Sequence, residues 1–407
     1  MRSFEVQESP SELPNVKFWK TISIRNDGIS SVSSPDVLAA GQVDRSDLDA
    51  IVDSVCEPGM SEAEKALALF EYMKANVVKW ALPSLEGAEN PAQILNVFGY
   101  CNCGGFSSTL TLLALTAGLK ARNVHLPGHG VMEIWHDDAW HLYDSNLQVT
   151  YSKPDGQLAS VEEVQNDLSL LDQADHDFHA PRGFNLEGVR SIYGQGQVWH
   201  PDPPSADMHS MDFELLPGET ISWYYDERAR FYPYQNEVFM VEPCPEHVAG
   251  GTLLVPGESM SAEHESESFS QRFRRHVPWA IVGGRLRASG FRTPGDGQVS
   301  LLLHREGREL TVGGILTERA DCEESFEIVF DFANAAVRPP PDPVLFDLDL
   351  ELILYKVRPE SELRFENVMV ELDLQRAPQT LPPHDLEGAE LVYHDRSDER
   401  IISVMIE

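Results

Sequence analysis

The chain of 407 residues is 42% hydrophobic and 24% charged, the composition of a folded protein of two or three domains and not of a disordered one. Its 66 acidic residues outnumber 31 basic ones; the net charge of -35 repels nucleic-acid phosphates and anionic membranes, so neither is expected as a partner. No apolar run reaches the length of a spanning helix, and the opening "MRSFEVQESPSELPNV" has no signal-peptide pattern. The five scattered cysteines exclude a disulfide scaffold and favour a reducing, cytoplasmic setting.

Residues 1–40, punctuated by Ser and Pro, read as an N-terminal arm or strand pinned to the core, with one apolar stretch from Phe18 to Ile24. From Ser46 the spacing of Leu48, Ile51, Val52 and Val55 predicts a helix. A second helix follows over "SEAEKALALFEYMKANVV", opened by a Ser61–Glu64 capping box and buried along Ala66, Phe70, Met73 and Val77. "GYCNCGGFSSTLTLLALTAGLKAR" then places Cys101 and Cys103 before a run that is apolar nearly all round, the mark of a central, buried helix. Gly118 is suited to end it.

Short strands are expected at "RNVHL", "VMEIW", "AWHLYD" and "LQVTY", with "HDD" as a hairpin turn between the second and third. "SVEEVQNDLSLL" predicts one more helix, capped by Ser160 and Glu163. Around "QVWHPDPPSADMHS" the composition becomes that of a linker. Beyond it alternation dominates: Leu348, Leu350, Leu352 and Leu354 against Asp347, Asp349 and Glu351, then Val368, Val370, Leu372 and Leu374. Such strands indicate an antiparallel sandwich with those leucines inward.

The cysteine pair admits three readings: a metal site, a structural thiol or a nucleophile. A nucleophilic thiol needs a helix N-terminus, an imidazole and a group that orients the imidazole. Cys103 stands where the buried helix begins, and Gly104 and Gly105 leave room for substrate. His129 opens one strand and Asp144 ends its hairpin partner. As a metal set, Cys101, Cys103, His125 and His129 lack the usual Cys-x2-4-Cys knuckle, and no EF-hand loop is visible, so no metal or other cofactor is expected. "HDFH" at 176–179 reads as a loop, His136 as a turn residue and His141 as a solvent-facing strand position.

These residues resemble the transglutaminase-like superfamily of papain-type thiol enzymes. Cys103 is followed by Gly118-Leu119-Lys120-Ala121-Arg122, then by His129, Glu133 and Ile134, then by Trp140 and Asp144, three blocks in the family's order and spacing. Val131 stands where an aromatic residue often follows the His, and Ser107 where Ala is usual. The resemblance implies an α+β fold, with a transglutaminase-like (papain-like) core at 41–200 between the arm at 1–40 and a β-sandwich domain at 205–407. It also implies Cys103 as nucleophile, His129 as general acid/base and Asp144 as orienting carboxylate. Amide or peptide acyl transfer or hydrolysis through a Cys103 thioester is then the expected chemistry, and bacterial members of this kind are more often amide hydrolases than cross-linkers.

Two alternatives keep the fold: a glycan-processing enzyme, for which the sandwich and "WYYDERARFYPY" would bind sugar, and a non-catalytic binding scaffold. A peptide, amide or glycan is the expected partner. Tyr100, Trp135 and Trp140 are the candidate substrate-binding residues, against the plainer reading that aromatics at strand spacing pack across strands. Glu133 is either part of the site or an architectural partner of Arg122.

Overall fold

The computed structural model describes residues 1–13, 19–79, 90–174, 185–202, 209–225, 249–261, 268–292, 295–305, 307–320, 324–333, 344–356, 363–383 and 390–407. The "HDFH" segment, Cys244, Cys322 and most of "WYYDERARFYPY" lie outside the described residues.

The N-terminal residues form strands within a sheet. The first two used here are β1 (Arg2–Val6) and β2 (Thr21–Asn26). Helix α1 (Leu48–Val55) is capped by Asp47, whose carboxylate accepts from the N–H groups of Asp49 and Ala50. Helix α2 (Glu62–Asn76) carries the expected Ser61–Glu64 capping box. The central helix α3 (Cys103–Thr116) is capped by Asn102, which accepts from Gly105 N–H at 3.0 Å.

Three strands follow, β3 (Lys120–Leu126), β4 (His129–His136) and β5 (Ala139–Tyr143), forming an antiparallel sheet with β4 in the middle. Asp137 and Asp138 both take positive φ (49° and 59°), the conformation of a tight two-residue hairpin turn. "LQVTY" forms no strand: residues 145–148 turn back, and the chain makes a single bridge between Asp144 and Val149. The helix expected over "SVEEVQNDLSLL" is broken in two. Helix α4 (Val161–Asn166) stops at Asp167, whose side chain accepts from Ser169 N–H and starts a 3-10 turn at Leu168–Gln173. A further helix, α5 (Leu186–Tyr193), capped by Asn185, lies beyond the last helix that periodicity suggested.

The remaining strands used here are β6 (Thr220–Tyr224), β7 (Ala249–Pro256), β8 (Ser268–Arg292), β9 (Gly295–Arg305), β10 (Arg308–Ala320), β11 (Glu324–Asp331), β12 (Leu345–Lys356), β13 (Leu363–Arg376) and β14 (Ile402–Ile406). Antiparallel pairing is as expected, but the strands join in one hydrogen-bonded ladder, β1-β14-β2-β6-β7-β13-β8-β12-β9-β10, with β11 on β8. β8 is the reason. Its first half pairs with β12; after a register shift around Ile281 its second half pairs with β13 on one edge and β11 on the other. One long strand thereby serves both arms of the sheet. The alternating leucines face inward as expected: Leu348, Leu350, Leu352 and Leu354 are all buried, as are Val370, Leu372 and Leu374.

Two further cores lie on opposite faces of the β3–β5 sheet. Met132 and Ile134 pack with α1, α2 and α3, together with Ala280 and Val282 of β8; Val124, Val131 and Leu142 pack with Tyr151, Leu171, Val189 and Tyr193. Helix α3 is therefore closed in between the small sheet and the other helices, which explains a sequence without a polar face.

Candidate active site

Polar pins set the start of α3 against the small sheet. The Ser107 hydroxyl donates to the Val131 carbonyl at 2.6 Å and lies 2.9 Å from Asn123 Oδ1, which also accepts from Thr111 at 2.6 Å. The serine in place of the usual alanine thus has a structural task. Gly130 of β4 lies flat on the helix start: a Cβ there would stand 3.4 Å from the carbonyl carbon and oxygen of Cys103. Gly105 opens no room for substrate, contrary to expectation. A Cβ on it would meet Cys101 Cβ at 2.6 Å and Ile94 Cδ1 at 2.9 Å, so it is small because Cys101 packs behind it. Cys101 itself is fully buried in the helical core.

His129, Asp144 and Cys103 come together. His129 Nε2 donates to Asp144 Oδ2 at 2.8 Å, and both side chains are fully buried. The other oxygen of Asp144 accepts from Leu147 N–H at 2.9 Å, an arrangement made by the turn that replaces the expected fourth strand. Cys103 is within hydrogen-bonding reach of His129 and of the Gly130 N–H.

Burial raises the thiol's pKa, but hydrogen bonding to His129, the charge of His129 and the Gly130 N–H outweigh it, and the pKa falls below the usual thiol value. Burial disfavours the imidazolium, yet Asp144 and the thiolate push His129 up to about 10. Asp144 is held below the ordinary carboxylate range: the penalty of burial is overcome by His129, Leu147 N–H and the Tyr193 hydroxyl. Together these favour a thiolate–imidazolium pair at the positive end of a helix.

Glu133 is architectural. Its Oε2 accepts from Arg122 Nε and Nη2 at 2.8 and 2.6 Å, while Oε1 accepts from Val161 N–H at 2.8 Å and so holds the start of α4. Arg122 in turn stacks on Trp140 at 4.1 Å, and Lys120 sits over both Trp135 and Trp140. The two tryptophans are direct cross-strand partners, edge to face at 5.4 Å. They occupy the turn end of the hairpin, whereas His129 opens the other end of β4, six residues or roughly 20 Å away at the rise of a strand. Tyr100 is buried among Phe98 and the helical core, with its hydroxyl 3.4 Å from Gln375. Each of the three candidate substrate-binding aromatics is thus engaged in packing, Trp135 and Trp140 across the hairpin and Tyr100 in the helical core.

Two further aromatic rings, His125 and Trp199, lie at the His129 end of the small sheet. His125 is the cross-strand partner of Gly130, so it shares the face that meets α3. Trp199 bridges to it through main-chain hydrogen bonds and stacks edge-on at 5.4 Å, with half of its surface (49%) exposed. By composition Trp199 belongs to a linker, and main-chain pairing with β3 is what ties it to the small sheet.

A possible metal-binding group is formed by His136, Asp137 and His141, with ligand atoms within 4.8 Å of one another. His141 is buried and not solvent-facing, stacked on His136 at 3.9 Å. Hydrogen-bond partners face every ring nitrogen of the pair: Asp137 and the Tyr143 hydroxyl for His136, the carbonyls of Leu158 and His136 for His141. These nitrogens are directed into the hairpin's own hydrogen bonds, which suits structure better than ion binding.

Residues 49–145 match the model of the transglutaminase-like superfamily, about a quarter of the chain and the part that holds Cys103, His129 and Asp144. No curated protein matches the sequence. Among solved structures, the chain is similar to a non-crystalline-cellulose-specific carbohydrate-binding module, CBM28, at 12% identity, covering 30% of this chain and 71% of that one with a TM-score of 0.19. It is also similar to the infectious bursal disease virus VP2 subviral particle at 13% identity, covering 70% of this chain and 78% of that one with a TM-score of 0.20. Similarities this weak carry no functional argument.

Proposed function

We propose that the protein is a cysteine-dependent acyl-transfer enzyme that cleaves or transfers an amide or peptide acyl group through a thioester on Cys103. One observation carries this reading: a thiol at the first turn of a buried helix lies in series with a fully buried His129–Asp144 pair.

The Cys103 thiolate attacks the carbonyl carbon, and the carbonyl π electrons move to oxygen. First-turn N–H groups of α3 other than that of Gly105, which Asn102 takes, are the donors proposed for that oxyanion. His129, as imidazolium, gives its proton to the departing amine as the C–N bond breaks, leaving a thioester and a neutral imidazole. Water or an acceptor amine then attacks while His129 takes its proton; collapse expels the thiolate and restores the ion pair. Asp144 remains ionised throughout and keeps His129 turned toward the sulfur.

The test is intact-protein mass spectrometry after incubation with peptide, simple amide and oligosaccharide panels, comparing the wild type with Cys103→Ala. An acyl adduct or amide turnover that depends on Cys103 supports the proposal. Turnover of an oligosaccharide that survives Cys103→Ala would replace it with the glycan-processing alternative.

A further inference from the structure

Tyr193 ends helix α5, outside the family-matched residues 49–145, and is fully buried. Its hydroxyl donates to Asp144 Oδ2 at 3.1 Å, the same oxygen that receives His129 Nε2–H at 2.8 Å. The ring lies edge-on to His129 at 6.5 Å and to Tyr151 at 6.3 Å. Asp144 therefore takes three donors: Leu147 N–H on one oxygen, and His129 and Tyr193 on the other.

We propose that Tyr193 is a positioning residue for the acyl transfer, its hydroxyl tempering the charge on the carboxylate oxygen that faces His129 and so setting how firmly the imidazolium holds its proton. This rests on the thiol-enzyme reading above. The physical argument concerns competition for one oxygen. A carboxylate oxygen that already accepts a phenol proton has less electron density to offer the imidazolium. His129 must be basic enough to draw the thiol proton, yet acidic enough to protonate the leaving amine. Leu147 N–H still anchors the other oxygen, so removing the phenol changes charge more than orientation.

The ionisable groups around the pair are Cys103 from α3, Glu133 from the strand of His129, Tyr151 from the segment after β5, and Tyr193. Burial and the nearby Asp144 charge hold Tyr193 far above its ordinary pKa, so it remains a donor across the working range.

Tyr193→Phe keeps the ring and deletes only the donor. The readout is the His129 imidazole C–H resonance against pH, with thiolate absorbance near 240 nm, taken as the difference between each protein and its Cys103→Ala counterpart, as the control on the thiol. His129 is already imidazolium where the thiol titrates, so a more basic His129 shows in its own titration, and the Phe variant's imidazolium midpoint should rise by about 0.5–1 pH unit. A fluorinated tyrosine at 193, a stronger donor, should move it downward. If Tyr193→Phe leaves the midpoint in place or lowers it, the inference is overturned while the thiol-enzyme reading stands, since wild-type Cys103 still titrates low. A wild-type Cys103 that titrates as an ordinary thiol overturns both. A purely structural tyrosine would lower the melting temperature and leave the midpoint alone.

Discussion

Gly105 and Cys101 share a space that holds only one of their side chains: a Cβ on Gly105 would lie 2.6 Å from the Cβ of Cys101. The double cysteine in this stretch thus divides into a packed residue behind the helix and, at its tip, the proposed nucleophile. Gly105→Ala is expected to destabilise the protein by about 1–3 kcal/mol through overpacking. Urea unfolding monitored by circular dichroism measures it, and a stability equal to wild type would show that the helix start can shift without strain.

Cys103 should react with iodoacetamide at pH values where Cys101 does not, because its thiolate is stabilised by His129 while Cys101 is fully buried. Peptide mapping after brief labelling at about pH 6 reads the ratio. Labelling of Cys101 ahead of Cys103 would contradict the division of roles.

Turnover should be lost at high pH. His129 has its pKa raised from 6.5 to about 10, so the imidazolium persists below about 10 and disappears above it, and with it the proton for the leaving amine. The same shift has a stability consequence of definite sign. A folded pKa above the unfolded value stabilises fully below 6.5, and the contribution is lost as pH rises through about 10. Asp144, shifted downward, contributes above the unfolded carboxylate pKa and loses that contribution as pH falls through the folded value. His129→Gln should therefore flatten the alkaline part of the stability profile, as thermal melts from pH 6 to 11 would record (a range chosen to span roughly the His129 transition).

Glu133→Ala should cost about 1–3 kcal/mol, chiefly by leaving the buried Val161 N–H at the start of α4 without its acceptor, while Arg122, one-third exposed, turns to water. Iodoacetamide reactivity of Cys103 in the folded fraction should remain close to wild type. A large loss of thiol reactivity without loss of stability would move Glu133 from the framework into the site.

Trp135→Ala with Trp140→Ala should leave Cys103 reactivity unchanged, because the pair lies at the far end of the hairpin from His129. Trp199→Ala, by contrast, is expected to raise the KM on whichever substrate the panel identifies, because its half-exposed ring packs on His125, the cross-strand partner of Gly130, which lies on the start of α3. Equal behaviour of the two variants on that substrate would leave Trp199 no part in binding.

Much of this was written locally. The buried character of α3, the capping boxes at Ser61 and Ser160, the Asp137–Asp138 turn and the alternating leucines of β12 are short-range patterns whose physics needs no distant partner. The order and spacing of Cys103, His129 and Asp144 were legible for the same reason: a helix start and a hairpin place them within a few strand rises of one another. Tertiary structure decided what depends on neighbours remote in sequence. Which face Trp135 and Tyr100 present, and to what, follows from packing. Whether β8 belongs to one sheet or two follows from a register shift at Ile281, where one strand exchanges partners. Tyr193 is the clearest case: it lies 49 residues beyond Asp144 in a short helix, and only the burial of that helix's apolar face against the small sheet delivers its hydroxyl to the carboxylate.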